Sequence, residues 1–283
     1  MFNLRSVLPV ALVLTLGGVC QAEPPRVETT QLSESLYTFR YEGTRNIFLV
    51  TDEGVIATDP ISPEAAKAFR QEIAKVTDQP VRYVVYSHQH WDHILGGSVF
   101  KDEGATFISH QNCVSHFFRR IHPDLVLPDQ VTQSNHKLIL GDRVLELLYF
   151  GENHGDCLLV MHMPAERMIF VNDLVTPGFI GLGTLPDYEP GQYLRTLREI
   201  EALDFDEMIG GHGPPRAPKS AVSDRRRWLE TIMNAVKHEL DAGTPRAEIA
   251  GKLEFPEFKD VAGYDSQLED FVDRMLRYYE MGW

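Results

Sequence analysis

Apolar and polar positions along this chain follow two rhythms that take turns. Short apolar runs bounded by glycine, proline or aspartate alternate with longer stretches in which apolar residues return every three or four positions. Leu36–Tyr41, Ile47–Thr51 and Val55–Thr58 read as three strands of a meander, with Gly43 and Gly54 in the turns. Asp59-Pro60 ends the third strand. Ser62-Pro63-Glu64 then opens an amphipathic helix to Val76, the serine as cap and the proline in the first turn. Val81–Tyr86 (VRYVVY) is β-branched and aromatic and predicts a strand. A short helix over Ile94–Lys101, a strand over Thr106–Ser109 and a helix over His110–Arg120 follow. Lys137–Leu140 and Arg143–Phe150 flank Gly141-Asp142 as a hairpin, and Cys157–Met163 and Met168–Asn172 bracket Pro164-Ala165-Glu166-Arg167 as a second one. Gln192–Ala202 predicts a helix and Glu207–Gly210 a strand. After Pro218 the rhythm is helical throughout, over Ala221–Ala242, Pro245–Leu253 and Ser266–Met281. This tail reads as an extension packed over the body near a cleft, or against a second subunit.

The chemistry concentrates where strand Val81–Tyr86 ends, in Ser87-His88-Gln89-His90-Trp91-Asp92-His93. His88 and His90 lie two apart, so extended backbone points both imidazoles to one side. Asp92 and His93 come where the chain bends and can aim at a neighbouring point. Ligand-type residues recur at later strand ends: His154 in Gly-Glu-Asn-His-Gly-Asp, Asp173 in Phe-Val-Asn-Asp-Leu-Val, and His212 in Gly-Gly-His-Gly-Pro. A merely polar, histidine-rich loop would not be matched in this way downstream. Clustered imidazoles and carboxylates suit zinc.

These residues resemble the metallo-β-lactamase fold superfamily. His88-Gln89-His90-Trp91-Asp92-His93 fits its H-x-H-x-D-H motif, and His154, Asp173 and His212 correspond to its later ligands, in order, over about residues 34 to 216. The resemblance implies an α/β fold, a four-layer αββα sandwich, with a catalytic domain over 23–218 and a helical C-terminal extension over 219–283. It implies two Zn2+ per chain. His88, His90 and His154 would hold the first, Asp92, His93 and His212 the second, with Asp173 bridging and Asp92 also the candidate catalytic carboxylate. The expected reaction is hydrolysis of a small ester, lactone, thioester or lactam by a hydroxide held between the metals. Two alternatives stay open: an Fe2+-dependent sulfur dioxygenase, against which the complete second site weighs, and a non-catalytic periplasmic accessory protein of a redox or quinoprotein system. Two departures loosen any assignment to antibiotic hydrolysis. Glu152 and Asn153 precede His154 where the family usually has proline-glycine, and the bridging position is Asp173 where the best-known zinc β-lactamases have cysteine. A serine triad is disfavoured, since no G-x-S-x-G elbow occurs.

Composition narrows the partners. The chain has 283 residues and 43 % hydrophobic content, enough for a sizeable core. Residues 1–22 read as a secretory signal peptide: Arg5, an apolar Val7–Val19, and Cys20-Gln21-Ala22 as cleavage site. The expected location is periplasmic or secreted, with no membrane span in the mature chain, because that apolar run is short for a spanning helix. The segment carries one basic and no acidic residue, so its removal takes the net charge from -14 to -15. So acidic a body excludes nucleic acid and leaves a small-molecule substrate. Oligomeric state is not legible. Cys113 and Cys157 either pair in an oxidising compartment or stay as buried thiols. Asp59 stands out as a strand-end carboxylate that orients a ligand histidine or caps a turn.

Overall fold

The computed structural model describes residues 25–119, 121–184 and 186–281. The signal-peptide reading over 1–22 lies outside these residues. The first sheet runs in the order β1 (Val27–Gln31), β2 (Leu36–Tyr41), β3 (Thr44–Val50), β4 (Val55–Thr58), β5 (Val81–Val85), β6 (Thr106–His110) and β7 (Gln130–Thr132). β1 to β4 form an antiparallel meander, and β4 to β7 are parallel. The connections carry α1 (Pro63–Val76), α2 (Trp91–Ile94), α3 (Ser98–Asp102) and α4 (Gln111–Arg119). The second sheet contains β8 (His136–Leu140), β9 (Arg143–Tyr149), β10 (Leu159–Met163), β11 (Met168–Asn172), β12 (Glu207–Gly210) and β13 (Ala217–Pro218), ordered β13-β12-β11-β10-β9-β8. It is antiparallel except between β11 and β12, which α5 (Pro190–Glu201) joins by a crossover. Three further helices end the chain: α6 (Ser220–Asp241), α7 (Arg246–Lys252) and α8 (Tyr264–Met281).

The strands read as continuous apolar runs because both faces are covered. On β10, Leu159, Met161 and Met163 meet Leu49, Ile56 and Val85 of the first sheet in the core between the sheets. The alternate residues Leu158 and Val160 join the helical side with Leu197, Trp228 and Phe271. β4 divides likewise, Ile56 inward and Val55 and Ala57 toward α1. Each fully buried Leu, Ile or Phe contributes about 1.5–3 kcal/mol. α1 begins as its sequence suggests: Ser62 Oγ accepts from Ala65 N at 3.1 Å, Pro63 occupies the first turn, and Ala65, Ala66, Phe69 and Ile73 form the buried stripe.

Several local expectations change. β3 starts at Thr44, because Glu42-Gly43 turns so tightly that Tyr41 pairs with Thr44. The single helix expected over Ile94–Lys101 is two short helices. Gly96 between them has φ +88, and a Cβ there would meet the Ser62 backbone at 2.3 Å. β1 and β7 escaped notice because both are edge strands with largely polar, half-exposed residues. Cys113 on α4 and Cys157 before β10 form a disulfide, which settles the two readings left open. The tail lies along the second sheet's outer face, α6 packing on α5 and α8. No helix among the described residues is long and apolar enough to cross a membrane.

Candidate metal centre

Four connections converge at one rim of the two sheets. Beyond β5 come Ser87 to His90 and then α2, which carries Asp92 and His93. His154 stands in the β9–β10 loop, Asp173 directly after β11, and His212 beyond β12. Carboxyl ends of strands in open α/β sheets are where ligands bind. Backbone conformation is unusual around the rim: Asp59, Ile61 and Asn172 have positive φ values of 33°, 75° and 45°. For β-branched Ile61 that costs roughly 1–3 kcal/mol. Its N–H is held by the His93 carbonyl at 2.7 Å, which locks the ligand helix against the strand end.

The structure brings all seven expected ligands together, in two groups that share Asp173. His88, His90, His154 and Asp173 offer ligand atoms within 4.8 Å of one another, and so do Asp92, His93, Asp173 and His212. In the first group His154 Nε2 faces His90 Nδ1 at 3.2 Å, and Asp173 Oδ2 lies 3.8 Å from both His88 Nε2 and His154 Nε2. In the second, Asp173 Oδ2 is 3.2 Å from His93 Nε2 and Oδ1 is 3.2 Å from His212 Nε2. Asp92 Oδ2 completes it at 3.4 Å from His93 Nε2 and 4.0 Å from His212 Nε2.

The donor set fits divalent cations. His88 is fully buried; Ser87 Oγ sits 2.9 Å from its Nδ1, while its Nε2 makes no hydrogen bond among the described residues and lies among the other ligands. A buried polar atom left so is expensive unless something binds it. Burial drives the His88 pKa well down and that of His154 to about 4, so both are neutral, the form in which imidazole binds metal. Burial would depress His93 too, but the Asp173 carboxylate raises it to about 9. Asp173, despite its own burial, is held far below the carboxylate range by His93 and His212. It is therefore anionic at neutral pH.

Around the ligands lies a set of orienting contacts. His90 Nε2 meets Asp187 Oδ2 at 2.7 Å, which leaves Nδ1 for the centre, and the Gly43 carbonyl accepts from His212 Nδ1 at 2.8 Å. Fully buried Asp59 accepts from Ser87 N at 2.8 Å and Asn172 Nδ2 at 2.9 Å. One carboxylate therefore ties the residue before His88 to the residue before Asp173. Burial raises the Asp59 pKa to about 6. Asn153 Oδ1 accepts from His154 N at 2.5 Å and shapes its loop, whereas Glu152 faces a neighbouring cavity. Trp91 is partly exposed, its ring edge on His122 at 5.1 Å. His110, His116, His122, His136, His162 and His238 belong to neither group.

Sequence reasoning missed Asp187, Tyr188, Tyr193 and Arg225. They line a cleft of about 440 Å³ over the ligands or, for Asp187, its edge, together with Thr176, Phe179 and Leu182. Asp187-Tyr188 follows Thr-Leu-Pro in a stretch without periodicity, and Arg225 looked like one more charge on a helix face.

Comparison with known proteins agrees with this arrangement. The metallo-beta-lactamase superfamily model matches residues 40–212. The chain is 26 % identical over 260 residues to 2,4-dinitroanisole O-demethylase subunit alpha of Nocardioides sp. (strain JS1661), covering 90 % of this chain and 76 % of that protein. Among solved structures, a metallo-beta-lactamase from Pontibacter korlensis aligns with TM-score 0.66 at 18 % identity, over 72 % of this chain and 99 % of that one. A stereoselective inverting sec-alkylsulfatase from Pseudomonas sp. aligns with TM-score 0.74 at 13 % identity, over 91 % of this chain but half of the sulfatase. With the family model running from the end of β2 through the histidine-rich loop to the last histidine, the chain belongs to the metallo-beta-lactamase superfamily.

Proposed function

We propose that this chain is an exported, metal-dependent hydrolase that holds two divalent cations, zinc by ligand preference, and cleaves a small ester-like substrate. The observation that carries this reading is the pair of ligand groups sharing Asp173 at the floor of a cleft. His88, His90, His154 and Asp173 would hold one ion, and Asp92, His93, His212 and Asp173 the other. Bound there, the ions would supply Lewis acidity and lower the pKa of a water to about 7.

The chain's own groups do the rest. Asp187 directs His90 Nδ1 inward, Ser87 Oγ steadies His88, and the Gly43 carbonyl fixes His212. Phe179, Leu182, Tyr188 and Tyr193 receive the apolar part of the substrate and exclude water from it. Asp92 is the most exposed carboxylate of the set; with Oδ2 turned to His93 and His212, its Oδ1 would pass a proton toward the departing group. The complete second ligand group favours hydrolysis over a mononuclear iron oxygenase. Export is supported by the N-terminal segment and by the Cys113–Cys157 disulfide, a crosslink that persists in oxidising compartments.

Relatives named for O-demethylation of a dinitroanisole and for alkyl sulfate cleavage widen the substrate panel beyond esters, lactones, thioesters and lactams. Zinc-loaded protein is assayed against these four, with sulfate esters and nitroaryl methyl ethers added. Turnover of at least one, abolished by chelation and restored by zinc, is expected. A metal-replete protein that turns over none of them, or that consumes oxygen with iron bound, overturns the proposal.

A further inference from the structure

The wall of the cleft that holds the ligand groups also contains a buried cation. Arg225 projects from α6 into the cleft wall with 9 % of its surface exposed. Among the described residues no carboxylate pairs with it. Its Nε donates to Tyr193 Oη at 3.2 Å, and its Nη1 has no partner. The rings of Tyr193 and Phe271 lie 5.3 and 5.4 Å from the guanidinium carbon and support its faces. Tyr188, buried in the same wall, also has a hydroxyl with no hydrogen-bond partner among the described residues, and its ring packs edge-on against Tyr193 at 5.1 Å. Two buried donors without acceptors in one cleft wall are an expensive arrangement, because each is desolvated with nothing in return. Gly181 has φ +92 and packs its backbone close against the guanidinium; a Cβ there would fall 2.6 Å from both Nη1 and Nη2, so the glycine helps to fix the side chain in the wall.

We propose that Arg225 and the Tyr188 hydroxyl form an anion-recognising subsite in this cleft wall, so that the substrate carries a carboxylate, sulfonate or similar oxyanion apart from the bond that is cleaved. The guanidinium presents planar paired donors that match such a group, and the phenol adds one neutral donor. The clustered His and Asp side chains and the cation then hold two different groups of one molecule, which sets the orientation of the scissile bond. The subsite deepens the hydrolase reading and rests on it for the word substrate; recognition of the anion itself does not depend on bound metal.

The test uses benzenesulfonate and its neutral isostere methyl phenyl sulfone, titrated calorimetrically into the full chain, metal-loaded and after chelation. Wild type is expected to bind the sulfonate roughly 10- to 100-fold more tightly than the sulfone, the scale of hydrogen bonds to a charged group. Arg225→Met should erase that preference and leave sulfone affinity unchanged. Tyr188→Phe should reduce it by roughly 3- to 10-fold, the value of one neutral hydrogen bond. Arg225 also lines a smaller pocket behind the cleft and Tyr188 a larger cavity beside it, and only the cleft takes both, so a reduced preference in both variants assigns binding to the cleft. His88→Ala separates the two readings: it should weaken metal binding while keeping the sulfonate preference. No preference in wild type, or a preference that survives in a folded Arg225→Met, overturns the subsite. Should Arg225→Met not fold, an unchanged preference in Tyr188→Phe overturns it.

Discussion

Removing the carboxylate of Asp187 tests whether the contacts behind the ligands matter as much as the ligands. Its Oδ2 lies 2.7 Å from His90 Nε2 and also accepts from Gln89 Nε2 at 2.8 Å. With Nε2–H so engaged, His90 presents Nδ1 to the other ligands in the correct tautomer. A hydrogen bond to a charged group is worth about 1.5–3 kcal/mol. The side chains are 25 % and 29 % exposed, so solvent screening trims that to about 1–2 kcal/mol. At 1.36 kcal/mol per tenfold, Asp187→Ala should weaken the first metal site by roughly 5- to 30-fold. Asp187→Asn, which keeps an acceptor and loses the charge, should cost less. A second readout is independent of metal. Burial lowers the His90 pKa, and Asp187 overcomes this to raise it above the ordinary histidine value. In the metal-free variant, NMR titration should find His90 moved down. Metal competition against a chromophoric chelator is run for wild type and variant at the same pH. An affinity within about twofold of wild type, with an unmoved His90 titration, would refute the orienting role.

Asp173→Asn keeps size and one oxygen but loses the anion both groups share; metal content of the second site should fall first and activity by about 10–100-fold or more, and mass-spectrometric metal analysis showing normal occupancy would remove Asp173 from the ligand set. Metal uptake must displace the proton that Asp173 holds on His93, so apparent zinc affinity should climb from pH 6 to about 9 and then level off in chelator competition. The sign is opposite for the metal-free fold: a His93 pKa raised from 6.5 to about 9 stabilises it fully below pH 6.5, and that contribution is lost as pH rises through 9, as denaturant titration at several pH values would record. Truncation after Pro218 strips Trp228, Ile232 and Phe271 from the core over the second sheet, so the shortened chain should be insoluble or inactive on expression; a soluble and equally active one would contradict that packing.

Much of this site was legible because ligand chemistry constrains residue type and spacing at once. His88 and His90 announce themselves by a two-residue spacing at a strand end, and Asp173 and His212 by their own strand ends. The strands β4, β10 and β11 were readable because burial on both faces leaves nearly unbroken apolar runs, and β5 by its β-branched and aromatic residues. What stayed hidden depends on tertiary approach. Asp187 matters only because its loop folds back over His90, and Arg225 only because α6 crosses the second sheet beside the cleft. Asp59 could be noticed as a strand-end carboxylate, but nothing local shows that it reaches both Ser87 and Asn172. The Cys113–Cys157 pairing, 44 residues apart, was one of two open readings for the same reason.

The central claim is that two ligand groups sharing Asp173 bind two metal ions. Zinc is titrated calorimetrically into the chelator-treated full chain, with bound metal counted by mass spectrometry after desalting, for wild type and His88→Ala. Two zinc equivalents per wild-type chain are expected, with the first site weakened in His88→Ala and the second kept. One equivalent or none in a folded wild type, or an unchanged count and affinity in His88→Ala, would contradict it.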